Sequence, residues 1–129
     1  MDASVALPRS DTKVIGLIST AHFLSHVYML VLPPLFPLLK DVYGVSFAAL
    51  GLALTVFNVA TGLTQAPMGF LVDRFGARAI LIAGLIVEAI AFMMIGLFPS
   101  YWALIALMAV AGLANAVYHP ADYTILSAS

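Results

Sequence analysis

Four long apolar runs, at about residues 14–39, 47–72, 79–98 and 102–126, follow one another with only a few residues between them. A helix needs about 20 apolar residues to cross a bilayer core of about 30 Å, and each run meets that length. Hydrocarbon offers no water to backbone N–H and C=O groups, so runs this long must be helices rather than open strands. Charged residues are 9% of the chain, against roughly 25% in a soluble domain. The sequence is therefore that of an all-α polytopic membrane protein with four transmembrane helices. Arg9 and Lys13 ahead of the first run imitate a signal peptide, but the run is too long for one and no small-residue cleavage site follows it. The net charge of −1 and the placement of the aromatics inside apolar runs give no basic surface, so nucleic acid and anionic lipid are set aside as partners. With no cysteine, the chain has no disulfide framework, thiolate metal site or redox motif.

The links carry turn chemistry. Lys40-Asp41-Val42-Tyr43-Gly44-Val45-Ser46 ends in a residue suited to capping the second helix. Phe98-Pro99-Ser100-Tyr101-Trp102 combines proline with aromatics of the kind that sit at headgroups. Short links force antiparallel neighbours. Arg9, Lys13, Arg74 and Arg78 fall on one side of the array and Lys40 alone on the other, so the N-terminus and the 73–78 loop are expected in the cytoplasm of a cell membrane protein. Pro33, Pro34 and Pro37 remove donors from the first run, and its outer third is expected to be bent or unwound.

The second link concentrates charge. Gly69 allows close approach of a neighbouring helix, Asp73 puts a carboxylate at the membrane edge, Gly76 permits a tight reversal, and Arg74 and Arg78 flank the turn. Such a cluster makes a compact electrostatic latch. The pattern Gly69-x-Leu71-x-Asp73-Arg74-x-Gly76-x-Arg78 resembles the signature loop between the second and third helices of the major facilitator superfamily. That resemblance implies a loop that stabilises one state of an alternating-access cycle by contacting the partner half of a transporter. Ala77 stands where the family frequently has a basic residue. The stretches HFLSHVYMLVLPPLFPLL from His22 and GLANAVYHPADYTILSAS from Gly112 are similar to the first and fourth helices of the fosmidomycin-resistance-like drug exporters. The implied fold is part of the N-terminal six-helix half of a major facilitator.

Polar groups inside the apolar runs are functional candidates, because an ionisable side chain at the bilayer centre costs on the order of 3 kcal/mol. His22 and His26 lie four apart near the midplane, on one face with Ser19 and Met29, and histidine titrates near neutrality. They either line a cavity or carry protons, or they are neutral groups bonded to other helices. No zinc site is expected, since the pair lacks the glutamate of H-E-x-x-H and a third ligand. Gly51, Thr55, Asn58, Gly62, Gln65 and Gly69 form one stripe of the second run, where small residues suit packing and Asn58 and Gln65 can bond across to a neighbour. Asn115, His119 and Asp122 share a face of the fourth run, and Pro120 frees a carbonyl before it. A broken helix of this kind is a recurrent way to build a transporter's binding site. Counted from Trp102, Asp122 lies ~30 Å along the run, towards the cytoplasmic surface, where it can act in a gate or pair with His119. Glu88 lies midway along the third run and must face protein, find a partner or stay protonated. Family resemblance places that helix at the periphery, away from substrate.

The leading expectation is a transporter fragment, not an enzyme, that exports a small drug-like molecule in exchange for protons. No catalytic residue, metal or cofactor is assigned. Its partners are the substrate, protons, the lipid bilayer, and either the missing C-terminal portion or a second chain. Ser127-Ala128-Ser129 carry no cytoplasmic charge, as expected of a chain that is interrupted there. Two alternatives stand beside it: a complete four-helix exporter that assembles as an oligomer, and a non-transporting membrane anchor or assembly protein. The first run, residues 14–39, holds no acid, unlike the small multidrug exporters. An anchor would leave the charged loop and the midplane histidines without a purpose.

Overall fold

The structure, a computed structural model, describes residues 9–128; residues 1–8, the start of the tail that the charge pattern assigns to the cytoplasm, and residue 129 lie outside the described set. Five α-helices make up the described chain: α1 (Arg9–Tyr43), α2 (Phe47–Phe75), α3 (Ala77–Leu97), α4 (Tyr101–Asn115) and α5 (Tyr118–Ala128). Helices α4 and α5 form one broken apolar segment, so four segments are long and apolar enough to cross a membrane: Asp11–Tyr43, Phe47–Phe75, Ala77–Leu97 and Tyr101–Ser127.

Helix ends follow from local chemistry. Ser46 takes an extended conformation and its hydroxyl oxygen accepts the Ala49 N–H at 3.2 Å, supplying an orphan donor at the start of α2 with a partner. The charged link is tighter than its sequence implies. Asp73 and Arg74 belong to the last turn of α2 and Arg78 to the first turn of α3, leaving Gly76 alone outside a helix. Gly76 adopts φ +89 and ψ 136, its N–H donates to the Val72 carbonyl at 2.9 Å, and its own carbonyl accepts from Ile80 at 3.2 Å. That conformation is essentially reserved for glycine and costs other residues about 1–3 kcal/mol. Gly76→Ala is therefore expected to lower the thermal midpoint of the detergent-solubilised protein, and an unchanged midpoint would contradict the tight reversal.

Of the two expectations for the outer third of the first segment, bent or unwound, the unwinding is corrected. α1 stays helical through Pro33, Pro34 and Pro37 to Tyr43. Each proline withdraws one donor, but the remaining N–H groups have no water to bond in hydrocarbon, so the helical partner is the best they can find.

Helix α4 packs mainly against α2 and α3. Leu50, Ala53 and Phe57 of α2 meet Leu104, Met108 and Ala111 of α4 in one buried cluster. Gly112 makes the approach possible. A Cβ there would collide with the Phe57 carbonyl oxygen and stand 2.9 Å from the Ala60 Cβ. The Tyr101 hydroxyl donates to the Ala49 carbonyl at 2.9 Å and ties the N-terminal ends of α4 and α2 together. A second cluster, Ala21, Val72, Ala77, Leu81, Tyr118 and Ala121, seats α5 between α1 and the two residues flanking the charged turn. The glycines of the small-residue stripe of α2 meet no neighbour among the described residues. Nothing lies within 4 Å of a Cβ built on Gly51, Gly62 or Gly69, because α4 takes the opposite face of α2.

Candidate functional site

Two faces meet at the polar centre of the bundle. α1 brings His22 and His26, held one turn apart, and the buried Ser25 hydroxyl donates to the His22 carbonyl at 2.7 Å. α5 brings His119 and Asp122 from just beyond the helix break. There Ala116 and Val117 leave the helix, and Pro120 offers no N–H to the Ala116 carbonyl.

His22 Nδ1 and Asp122 Oδ2 are 2.9 Å apart, in ion-pair geometry. When the carboxylate is ionised it only accepts, and Nδ1 is then the donor. His22 Nε2 then faces His26 Nε2 at 3.1 Å. Two nitrogens can share that distance only with one proton between them. The His119 ring stands edge-on to His22, with centroids 5.3 Å apart. Asp122 therefore pairs with His22 across helices and not with His119 one turn away. The contact also puts the two at one level, whereas a count along an unbroken rod separates them in depth.

An open groove of about 490 Å³ runs along this wall, lined by His22, His26, His119, Asp122 and Tyr123 among apolar neighbours. A more enclosed cavity of about 260 Å³ lies on the other side of His26 and His119, lined by Ser25, Asn58, Thr61 and Asn115. Thr61 Oγ1 lies 2.9 Å from the Gly112 carbonyl and 3.0 Å from that of Phe57, and its one proton can serve either. Asn115 Nδ2 donates weakly to the same hydroxyl at 3.5 Å. Asn115 Oδ1 and Asp122 Oδ1 are buried acceptors without a hydrogen-bond partner among the described residues. No lysine or arginine lines either space.

Six of the residues singled out by sequence thus converge: His22, His26, Asn58, Asn115, His119 and Asp122. Gln65 lines neither space. Glu88 is fully buried behind the site, where its Oε2 accepts from the Tyr118 hydroxyl at 2.7 Å. At the turn, Asp73, Arg74, Gly76 and Arg78 are exposed, and Asp73 pairs with neither arginine. Sequence reasoning missed Tyr118 and Thr61. A tyrosine in an apolar run needs a partner for its hydroxyl, which was the available signal for Tyr118; Thr61 gave none beyond lying three residues from Asn58. No cluster of three or more metal-ligating side chains poised for an ion occurs among the described residues.

A bundle of four apolar spans, one of them broken beside a polar cavity, is the architecture of a multi-pass membrane protein, and a broken helix of this kind recurs at transporter sites. The family model of the major facilitator superfamily matches residues 18–129, and the chain belongs to that superfamily of membrane transporters. It is similar to the fosmidomycin resistance protein of Escherichia coli (strain K12), at 25% identity over 118 residues, 92% of this chain and 29% of that protein. An "uncharacterized MFS-type transporter" of Mycobacterium tuberculosis (strain ATCC 25618 / H37Rv) is 36% identical over 75 residues, 57% of this chain and 18% of that one. The transporter YfkF of Bacillus subtilis (strain 168) is 32% identical over 79 residues, 61% of this chain and 20% of that one. The chain thus spans less than a third of the length of these relatives. No solved structure matches it.

Proposed function

We propose that the chain is part of the N-terminal half of a secondary transporter that exports a small drug-like molecule by alternating access in exchange for protons. The observation that carries this reading is the run Asp122–His22–His26, two contacts of 2.9 and 3.1 Å linking a buried carboxylate to the wall of the enclosed cavity. A proton added at His26 Nδ1 lets the Nε2 proton pass to His22, whose imidazolium is then held by the Asp122 carboxylate. The reverse sequence discharges it. Substrate in the same cavity meets the same groups, so occupancy by substrate and by the proton are linked. In this reading the N-terminus and the 73–78 turn face the cytoplasm, and the exposed Asp73, Arg74 and Arg78 dock on the other half of the transporter.

Everted membrane vesicles carrying the whole transporter test the reading. An acid interior should drive uptake of a lipophilic drug or dye, and a protonophore should abolish it; uptake indifferent to the protonophore overturns proton coupling. Asp73→Asn should slow that uptake about fivefold or more, the size of a typical coupling between states, with membrane insertion intact. Wild-type uptake in that variant would count against the latch.

A further inference from the structure

Glu88 lies outside both polar spaces, while its partner Tyr118 lines the enclosed one. The Glu88 side chain is 0% exposed on α3, a helix that lines neither polar space. Its Oε2 takes the Tyr118 hydroxyl at 2.7 Å, while Oε1 has no partner among the described residues. One turn earlier on α3, Gly84 leaves room for the next neighbour. A Cβ there would collide with the Val117 side chain and stand 3.1 Å from the Ala114 carbonyl oxygen. Two successive turns of α3 therefore grip Val117 and Tyr118, which sit where the backbone is weakest. Val117 is outside a helix, its N–H reaches only the Ala114 carbonyl at 3.4 Å, and Pro120 gives no donor to the turn before it. Such a joint does not fix its own angle. Everything beyond it, including His119 and Asp122, depends on an external hold.

We infer that Glu88 and Tyr118, with the notch at Gly84, are a positioning device by which α3 sets the angle of α5 and so decides whether Asp122 meets His22. The inference rests on the proton-coupled reading of that contact for its effect on transport, but its geometric content does not. Buried hydroxyl and carboxyl groups are directional, and a single good bond between them fixes the rotation of the first turn of α5. Tyr118 also lines the enclosed cavity, whereas Glu88 and Gly84 line neither polar space, so the split between maximal rate and KM separates positioning from substrate contact.

The test uses the whole transporter on a cysteine-free background; the chain described here contributes no cysteine of its own. Cysteines introduced at Ser19 and Tyr123, both on the groove wall, report the separation of α1 and α5 through their cross-linking rate. Tyr118→Phe keeps the ring and removes only the hydroxyl. It should slow cross-linking and reduce the maximal rate of gradient-driven uptake about tenfold, the equivalent of one buried bond, with KM within about twofold of wild type. Glu88→Gln keeps an acceptor for the hydroxyl and should retain most of both. Should Tyr118→Phe fail to reach the membrane, Gly84→Ala loosens the same joint from the α3 side and should reproduce the cross-linking change. Wild-type cross-linking and uptake in Tyr118→Phe or, where that variant is absent from the membrane, in Gly84→Ala would overturn the inference. So would an inactive Glu88→Gln with normal cross-linking, which would make the carboxyl itself the working group. Cross-linking that changes as expected in a protein whose uptake ignores the protonophore would retain the device and remove the proton reading.

Discussion

Gly112→Val should cost the protein a large part of its stability. The glycine stands where α4 crosses α2, with the Phe57 carbonyl and the Ala60 methyl occupying the space that any side chain would need. Backbone cannot swing aside as a flexible side chain can, so the helices must part. Inserting methylenes into a packed core typically costs about 1–3 kcal/mol, and the bond from Thr61 Oγ1 to the Gly112 carbonyl, 2.9 Å in the native protein, adds about 1 kcal/mol when lost. Together they come to about 2–4 kcal/mol, a sizeable share of the roughly 5–15 kcal/mol that holds a typical domain together. Thermal unfolding of the detergent-purified protein, followed by the fraction remaining monodisperse, reads the effect. Gly51→Val is the control, because nothing lies within 4 Å of its Cβ position. Equal midpoints for the two variants would show that α2 and α4 do not meet at Gly112.

Asp122→Asn should separate structure from coupling. The amide oxygen can still accept from His22 Nδ1, so the α1–α5 contact survives in shape. The negative charge that holds a protonated His22 does not. A hydrogen bond to a charged group is worth about 1.5–3 kcal/mol, which corresponds to roughly tenfold to a hundredfold in an equilibrium constant. In the whole transporter, uptake driven by a pH gradient should fall by that factor, while the thermal midpoint moves little. The Asp122 side chain is 11% exposed, so solvent does little to replace the lost charge. Undiminished gradient-driven uptake would remove Asp122 from the proton path.

The contrast between Asp73 and Asp122 shows how far the amino-acid order reaches. Asp73 was readable because its neighbours along the chain, Arg74, Gly76 and Arg78, define the turn without help from any distant residue. Even there the register needed the structure: six residues of apparent loop reduce to Gly76, because α2 and α3 continue through the charges on either side of it, of which only Arg74, in the last turn of α2, suits the helix dipole. Asp122 was readable as a polar residue in an apolar run, but its partner lies 100 positions away on α1. No periodicity within the fourth run distinguishes His22 from His119 as that partner. The small stripe of α2 shows the same limit. A helical face suited to packing does not say which neighbour arrives, and α4 took the other side.

What the chain alone determined is the number of crossings, their helical state and the position of their turns. Those follow from the energy of placing backbone and charge in hydrocarbon, a property of each segment by itself. What the tertiary structure decided is which polar groups meet: Asp122 with His22, His22 with His26, and Glu88 with Tyr118. Those pairings depend on the rotation of each helix about its axis and on the break at Ala116 and Val117. Close approaches at Gly84 and Gly112 constrain how the helices meet, and no single segment carries that information.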